Sequence, residues 1–295
     1  MIYSHIPVML DEILEYLNLQ PGKKYIDCTL GGAGYTTAIA KKIGDKGEVV
    51  AIDLDELAIK NAQALIVEQK LKNISLVNDN FKNLAKVIGE RFPEGTKFDG
   101  IVFDLGLSSA QLDDEARGFS FKGERPLNMS FGPANSNSTE EIINTYQLLE
   151  LTRIFREYGE EKYAYQIAKA IVEERKIKRI ETTLDLVSII EKKIHFRFRS
   201  KIHPATRIFQ ALRMETNEEL ASLLEVLPSA LDLLKPKGRI VVVSFHSGED
   251  RIVKRFFKSR DDIKILSKRP FIPTDSEIEA NPRARSAKLR VAEKI

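Results

Sequence analysis

Four short runs rich in β-branched residues, "KYIDCTL", "GEVVAIDLD", "NISLVND" and "FDGIVFDLG", alternate with "TTAIAKKIG", "ELAIKNAQALIVEQK" and "FKNLAKVIGERF", whose apolar spacing is helical. This alternation predicts βαβ units, hence a parallel sheet with helices on both faces. The regularity stops near Ala110. From there to Pro204 no strand is expected, and "STEEIINTYQLLELTRIFREYG", "EKYAYQIAKAIVEERK" and "TTLDLVSIIEKKI" read as helices, the first opened by a Ser/Thr cap. The expected division is a sheet domain of residues 1–110 and 205–295 with an inserted helical domain of residues 111–204. After the insertion come a helix, "ATRIFQALRMETNEELASLLEVLPSALDLL", a strand "GRIVVVSF", and two terminal strands, "DIKILS" and "AKLRVAEKI". No substantial helix is expected between those last two, so they should close the sheet as an antiparallel pair.

A chain of 295 residues with one cysteine, Cys28, can bury a full core but holds no internal disulfide framework and no Cys-rich metal site. That cysteine usage suits a reducing compartment, and the N-terminus lacks a basic segment followed by a long apolar run. The expected location is cytoplasmic, with no membrane association. The net charge of +3 hides an asymmetry: the segment 175–213 carries 11 Lys/Arg against Glu181, Asp185 and Glu191, leaving the remainder at −5. Within it "HFRFRSK" interleaves Arg197, Arg199 and Lys201 with Phe196 and Phe198, a pattern that suits phosphate neutralisation beside base stacking and equally suits a solvated helix face.

The stretch "YIDCTLGGAGYT" runs a strand into a loop with Gly31, Gly32 and Gly34. A dinucleotide fingerprint fails here, because Gly32 and Gly34 are followed by Thr37 where a third glycine is needed. A phosphate-cradling loop also fails, lacking Gly-Lys-Ser/Thr. Asp27 could face a ligand's amino-acid end, and Asp53 could accept ribose hydroxyls or cap the following helix. Asp104, Ser108, Ser109 and Gln111 follow the fourth strand; Ser244, His246 and Ser247 follow the fifth, so all lie where such sheets bind ligands. Asp113, Asp114 and Glu115 read as a solvated acidic turn, and no metal site is expected. A parallel sheet closed by a late antiparallel pair is the usual plan of S-adenosylmethionine methyltransferases, so the topology leans toward methyl transfer.

"HIPVMLDEIL", "YIDCTLGGAGYT", "AIDLD", "DLGLSSAQLDDEARGFSF", "YGEEKYAYQIAKAIV", "HPATRIFQALRMETNEEL", "GRIVVVSFHSGEDRIVKRFF" and "NPRARSAKLRVAEKI" resemble, in order, the bacterial ribosomal RNA small-subunit methyltransferase H family, also called MraW. The resemblance implies a Rossmann-like, class I methyltransferase α/β fold: a mostly parallel seven-stranded sheet with a terminal antiparallel pair and an inserted helical domain. It implies N4-methylation of a cytidine in 16S rRNA at the decoding centre, with S-adenosylmethionine as donor and the small ribosomal subunit as partner. The expected oligomeric state is monomer or homodimer. Cofactor contacts implied by the family fall on Ala33, Gly34, Tyr35, Asp53, Phe81, Asp104 and Gln111. The family's usual "PLDMRMD" stands here as "PLNMSFG", placing Asn128, Ser130 and Gly132 at altered positions, and "SFHSLEDR" stands as "SFHSGEDR" with Gly248.

The cytosine N4 amine is a poor nucleophile because its lone pair is delocalised into the ring, so hydrogen-bond acceptors must take up its N–H groups as it attacks. Asp104, Ser108 with the Ser109 backbone, and His246 are the expected acceptor set. The target base must leave its stack, and Phe119 and Phe121 are candidate platforms for it. Asn128, Arg197, Arg199 and Lys201 complete the expected RNA contacts.

Overall fold

The computed structural model describes residues 7–108, 111–112, 114–121, 123–132, 138–194 and 203–295, with Glu115 by its backbone alone. The chain divides into two compact units, residues 1–108 with 220–295 and residues 109–219.

In the first unit the elements run α1 (Leu10–Tyr16), β1 (Lys24–Asp27), α2 (Gly34–Ile43), β2 (Glu48–Asp53), α3 (Glu56–Glu68), β3 (Ile74–Asn78), α4 (Leu84–Arg91) and β4 (Phe98–Asp104). The strands form one seven-stranded sheet in the order β3-β2-β1-β4-β5-β7-β6, completed by β5 (Leu234–Ser244), β6 (Ile263–Ile265) and β7 (Lys288–Lys294). The first five strands are parallel, whereas β7 runs antiparallel between β5 and β6. This is the methyltransferase plan expected from the sequence.

Both sheet faces are buried, which is why the strands read as nearly continuous apolar runs. Ile26, Val50, Ile101 and Val242 point to one side and pack with Val87 of α4 and Leu227. Their neighbours Tyr25, Val49, Val102 and Val241 point to the other and pack with Ile13 and Ile39. The alternation is the period-two geometry of a strand.

The second unit holds α5 (Thr139–Thr145), α6 (Leu148–Glu157), α7 (Ala164–Glu174), α8 (Thr183–Lys193) and α9 (Pro204–Thr216). Its core is built from Ile142, Leu151, Phe155, Ile167, Ile171, Leu186, Ile190, Ile208 and Leu212, all buried. Two expected long helices are each broken. Tyr146 is extended (φ −60°, ψ 142°) and the Gln147 N–H donates to Glu150 Oε2 at 2.7 Å, so α6 starts afresh with its own cap. Likewise Glu218 adopts φ +49° and separates α9 from α10 (Glu219–Leu233).

The second break corrects the expected boundary at residues 204/205. Helix α9 packs against α5, α6 and α8 and belongs to the helical unit, while Leu223, Val226 and Leu227 of α10 enter the sheet core. Both helices are amphipathic, so apolar spacing alone could not say which core each face would join. The rest of the sheet unit comprises α11 (Ser247–Ser259) and the short α12 (Asp275–Ala280) between β6 and β7.

Candidate active site

The carboxyl ends of β1, β2 and β4 bring Asp27, Asp53 and Asp104 to one edge of the sheet, since these strands are neighbours and parallel. Asp27 is fully buried; its Oδ2 accepts the Thr36 hydroxyl at 2.6 Å and its Oδ1 the Thr29 N–H at 3.1 Å. It is therefore internal framework and not the ligand-facing group its position allowed. Burial pushes its carboxyl up, and the bonds from Thr36 and Thr29 oppose the shift.

Asp53 is held differently. Its Oδ2 accepts the Gly31 N–H at 2.8 Å and its Oδ1 the Asp55 N–H at 2.9 Å. The cap of α3 is Asp55, whose side chain accepts the Leu57 N–H at 3.0 Å. Asp53 thus ties the glycine loop to the end of β2, and the second lone pair on each oxygen is left for a ligand's hydroxyls. Burial raises its carboxyl to about 6, against the pull of the two N–H donors.

Asp104 is the exceptional member. Its N–H donates to Thr29 Oγ1 at 2.7 Å, fixing the end of β4 to β1, but its own Oδ1 is buried with no hydrogen-bond partner among the described residues. Burial and the charge of Asp27 raise the carboxyl to about 8; the Tyr35 hydroxyl opposes the shift and Glu249 adds to it. The Tyr35 hydroxyl also donates to the Val8 carbonyl at 2.5 Å. No ion pair reaches Asp27, Asp53 or Asp104 among the described residues. Three crowded carboxyls, one with an orphaned oxygen, suit a ligand that brings positive charge and N–H or O–H donors.

The glycine loop seats itself against its own chain. A Cβ on Gly34 would lie 2.2 Å from Pro7 Cγ, and Gly31 has φ +48°. Ala33 adopts φ +61° without being glycine, at a cost of about 1–2 kcal/mol. Its N–H is held by the Leu30 carbonyl at 2.7 Å, and its methyl packs with Leu30, Ala51 and Ala62. Ser108 lies across from Gly31, its Cβ 3.8 Å from where a Gly31 side chain would begin. Phe81 follows β3 and sets its ring edge-on to Phe103 at 5.9 Å, half-buried, with its body on the sheet core. Ala33, Gly34, Tyr35, Asp53, Phe81, Asp104 and Ser108 thus share the sheet unit, all at the carboxyl ends of β1 to β4 or in the segments that follow them.

His246 has a structural task. It caps α11, its Nδ1 accepting the Glu249 N–H at 3.3 Å while Glu249 Oε2 accepts the Phe245 N–H at 2.8 Å. Its Nε2 lies 3.0 Å from Glu249 Oε1. Capping uses Nδ1 alone, and Nε2 is buried without a hydrogen-bond partner among the described residues. A Cβ on Gly248 would press on His246 Nδ1 at 3.1 Å, so glycine at this position leaves the imidazole room.

The remaining expected site residues lie in the helical unit. Gln111 is buried there. Phe119 is also buried and stacks on Phe131 at 5.7 Å, so it serves the core and offers no open platform. Phe121 is half-buried, one ring face lying along His203 at 5.1 Å and its edge near Phe209 at 5.4 Å. Asn128 is exposed, and its Oδ1 accepts the Ser130 N–H at 3.3 Å. Arg197, Arg199 and Lys201 fall outside the described residues. Of the other cations in the basic segment, Arg179 pairs with Glu140 at 2.7 Å, Lys178 with Asp185 at 3.1 Å and Arg213 with Glu219 at 2.7 Å. Part of the segment's apparent surplus is therefore neutralised within its own unit.

Sequence reasoning missed Thr29, which holds Asp27 and Asp104 together, and Asn217, which clamps "PLNMSFG". Asn217 Oδ1 accepts the Phe131 N–H at 2.8 Å and its Nδ2 donates to the Met129 carbonyl at 2.7 Å. Neither residue carried a local signal. Asp55 did: an acid directly before the helical run "ELAIKNAQ" is the ordinary N-cap pattern.

The sequence matches the MraW methylase family over residues 2–295. A protein of Carboxydothermus hydrogenoformans named Ribosomal RNA small subunit methyltransferase H is 43% identical, the alignment covering 100% of this chain and 99% of that one. The protein of the same name from Clostridioides difficile is 42% identical with 100% of both chains covered, and one from Dehalococcoides mccartyi is 45% identical over 99% of this chain and 87% of its own. Among solved structures, a candidate rRNA-methylase of Clostridium thermocellum shares the fold at TM-score 0.50 and 16% identity, covering 99% of this chain and 100% of its own. With whole-length identity above 40% and a family match that begins at the second residue, this chain belongs to the MraW methylase family.

Proposed function

We propose that this protein transfers a methyl group from S-adenosylmethionine to the N4 amine of a cytidine in 16S rRNA at the decoding centre of the small ribosomal subunit. The observation that carries the reading is the carboxyl edge of the sheet, where Asp53 and Asp104 stand unneutralised beside the loop of Ala33, Gly34 and Tyr35. When bound there, S-adenosylmethionine supplies an electrophilic methyl group and positive charge. Asp53 holds the ribose hydroxyls, Phe81 packs on the adenine, and the loop backbone receives the methionine end.

Asp104 then has two states with different uses. At about 8 its carboxyl is mostly protonated at neutral pH, with one O–H donor and a weaker neutral acceptor in place of two charged oxygens. Beside a cation it ionises, and Oδ1 becomes an acceptor for the N–H of an attacking amine. Ser108, placed beside Gly31, offers a second acceptor. The acceptor set is thus Asp104 and Ser108, while His246 contributes by holding the start of α11. Asn128 and Phe121, with Arg197, Arg199 and Lys201, are the proposed RNA contacts of the insertion.

The test is incubation with labelled methyl donor and either naked 16S rRNA or assembled small subunits, followed by mapping of the modified base. Label on the N4 of one cytidine supports the reading and identifies the substrate state. Label on another base refutes the site of methylation, and RNA binding without label transfer would make the protein a binder that keeps the methyltransferase fold.

A further inference from the structure

Helix α11 carries its charges on opposite sides. Its two acids both face inward: Glu249 is buried in the cap with His246, and Asp250 Oδ1 accepts Arg290 Nε at 2.7 Å, with Lys288 Nζ 3.8 Å from Oδ2. Its apolar side, Val253 and Phe257, is buried in the sheet core, with Ile252 and Phe256 packed against it. Lys254, Arg255 and Lys258 remain, all exposed. Their spacing of one and three residues places them on one face, over about 6 Å of helix axis at 1.5 Å per residue.

No ion pair reaches Lys254, Arg255 or Lys258 among the described residues. Lys60, Lys86 and Lys169 each have a carboxylate one turn away on their own helix, at 3.6, 3.9 and 3.8 Å. Neither acid of α11 compensates Lys254, Arg255 or Lys258, because Glu249 is used by the cap and Asp250 by β7. The helix also starts at the carboxyl edge of β5, next in the sheet to β4 and Asp104. A row of like charges on a rigidly packed helix, leading from the reacting edge, is complementary to a polyanion that must be held while one of its bases is presented.

We propose that Lys254, Arg255 and Lys258 bind the phosphate backbone of the RNA substrate, giving the sheet unit its own RNA-binding face in addition to the basic insertion. The assignment rests on the rRNA reading above. It requires no base recognition from this face: phosphate contacts fix register and orientation, and the pocket reads the base.

The experiment compares K254Q/R255Q/K258Q with K60Q/K86Q/K169Q, which removes three charges from paired positions. Affinity for transcribed 16S rRNA is measured from low to moderate salt, and S-adenosylmethionine affinity and thermal unfolding are measured on both variants and the unaltered chain. The α11 variant should flatten the log–log salt dependence by about two to three units, from ~0.7–0.9 per lost contact, and weaken binding at least tenfold at low salt. The control should change the slope by less than one unit, and cofactor affinity should stay the same in all three proteins. An unaltered slope in the α11 variant, or equal loss in the control, overturns the assignment while leaving the rRNA reading in place. Absence of salt-dependent RNA binding by the unaltered chain overturns both.

Discussion

A side chain on Gly34 would place its Cβ 2.2 Å from Cγ of Pro7 and 3.3 Å from its Cβ. The glycine is demanded by the protein's own N-terminal segment before any ligand arrives. That segment also receives the Tyr35 hydroxyl on the Val8 carbonyl, so Pro7 and Val8 brace the loop from behind. Gly34→Ala should cost about 1–3 kcal/mol, the usual penalty for overpacking. Pro7→Ala removes Cγ and Cδ, so the double variant should recover most of that loss in urea unfolding. Additive losses would show that Gly34 is needed for some other reason.

Asp104 predicts a pH dependence whose sign follows from burial. Its folded carboxyl is raised to about 8 from an ordinary value near 3.8, so the native state without ligand holds a proton that the unfolded chain releases. Its contribution to stability is full below about pH 4, declines as pH rises toward 8 and is flat beyond, with a slope of at most about 1.4 kcal/mol per pH unit. Asp53, raised to about 6, adds to the decline between pH 4 and 6. Donor affinity should run the opposite way, rising up to about tenfold per unit toward pH 8, because a cationic ligand favours the ionised carboxyl. Asp104→Asn should remove the upper part of both trends, as read by urea midpoints and by calorimetric titration from pH 5 to 9.

The parallel sheet was legible because burial of both faces keeps the runs Val49–Ile52 in β2 and Ile101–Phe103 in β4 wholly apolar, so they stand out against helical neighbours. The glycine loop after β1 was legible because three glycines and a strand-end Asp53 occur within one βαβ unit. What was not legible is the assignment of side chains to internal duties. Whether His246 accepts a proton or caps a helix depends on the direction of the Glu249 N–H, and whether Phe119 meets a base or Phe131 depends on packing. The unpartnered Oδ1 of Asp104 likewise follows from how the end of β4 is buried, which spacing in the sequence does not show.

His246 offers a direct separation of capping from chemistry. Asn is a strong N-cap residue and cannot act as an imidazole base, whereas Ala does neither. His246→Asn should keep stability within about 0.5 kcal/mol and retain most of the single-turnover rate, while His246→Ala should lose about 1 kcal/mol. A His246→Asn protein that is fully stable yet inactive with saturating donor would return the imidazole to the catalytic set.

Asn217 and Asn128 divide the "PLNMSFG" turn into a part that is buried and a part that is not. Asn217 is buried and spans the Phe131 N–H, the Met129 carbonyl and the Arg213 carbonyl, the last at 2.9 Å. Truncating it strands an N–H and a carbonyl away from water, so Asn217→Ala should cost about 2–3 kcal/mol in chemical unfolding. Asn128 is exposed, and the bond its Oδ1 accepts from Ser130 would be accepted equally by a carboxylate. Asn128→Asp should therefore change stability by less than about 0.5 kcal/mol, the range of surface substitutions. If Asn128→Asp instead alters RNA affinity at constant stability, the side chain is read by the substrate; if it alters stability, the turn is held by more than Asn217.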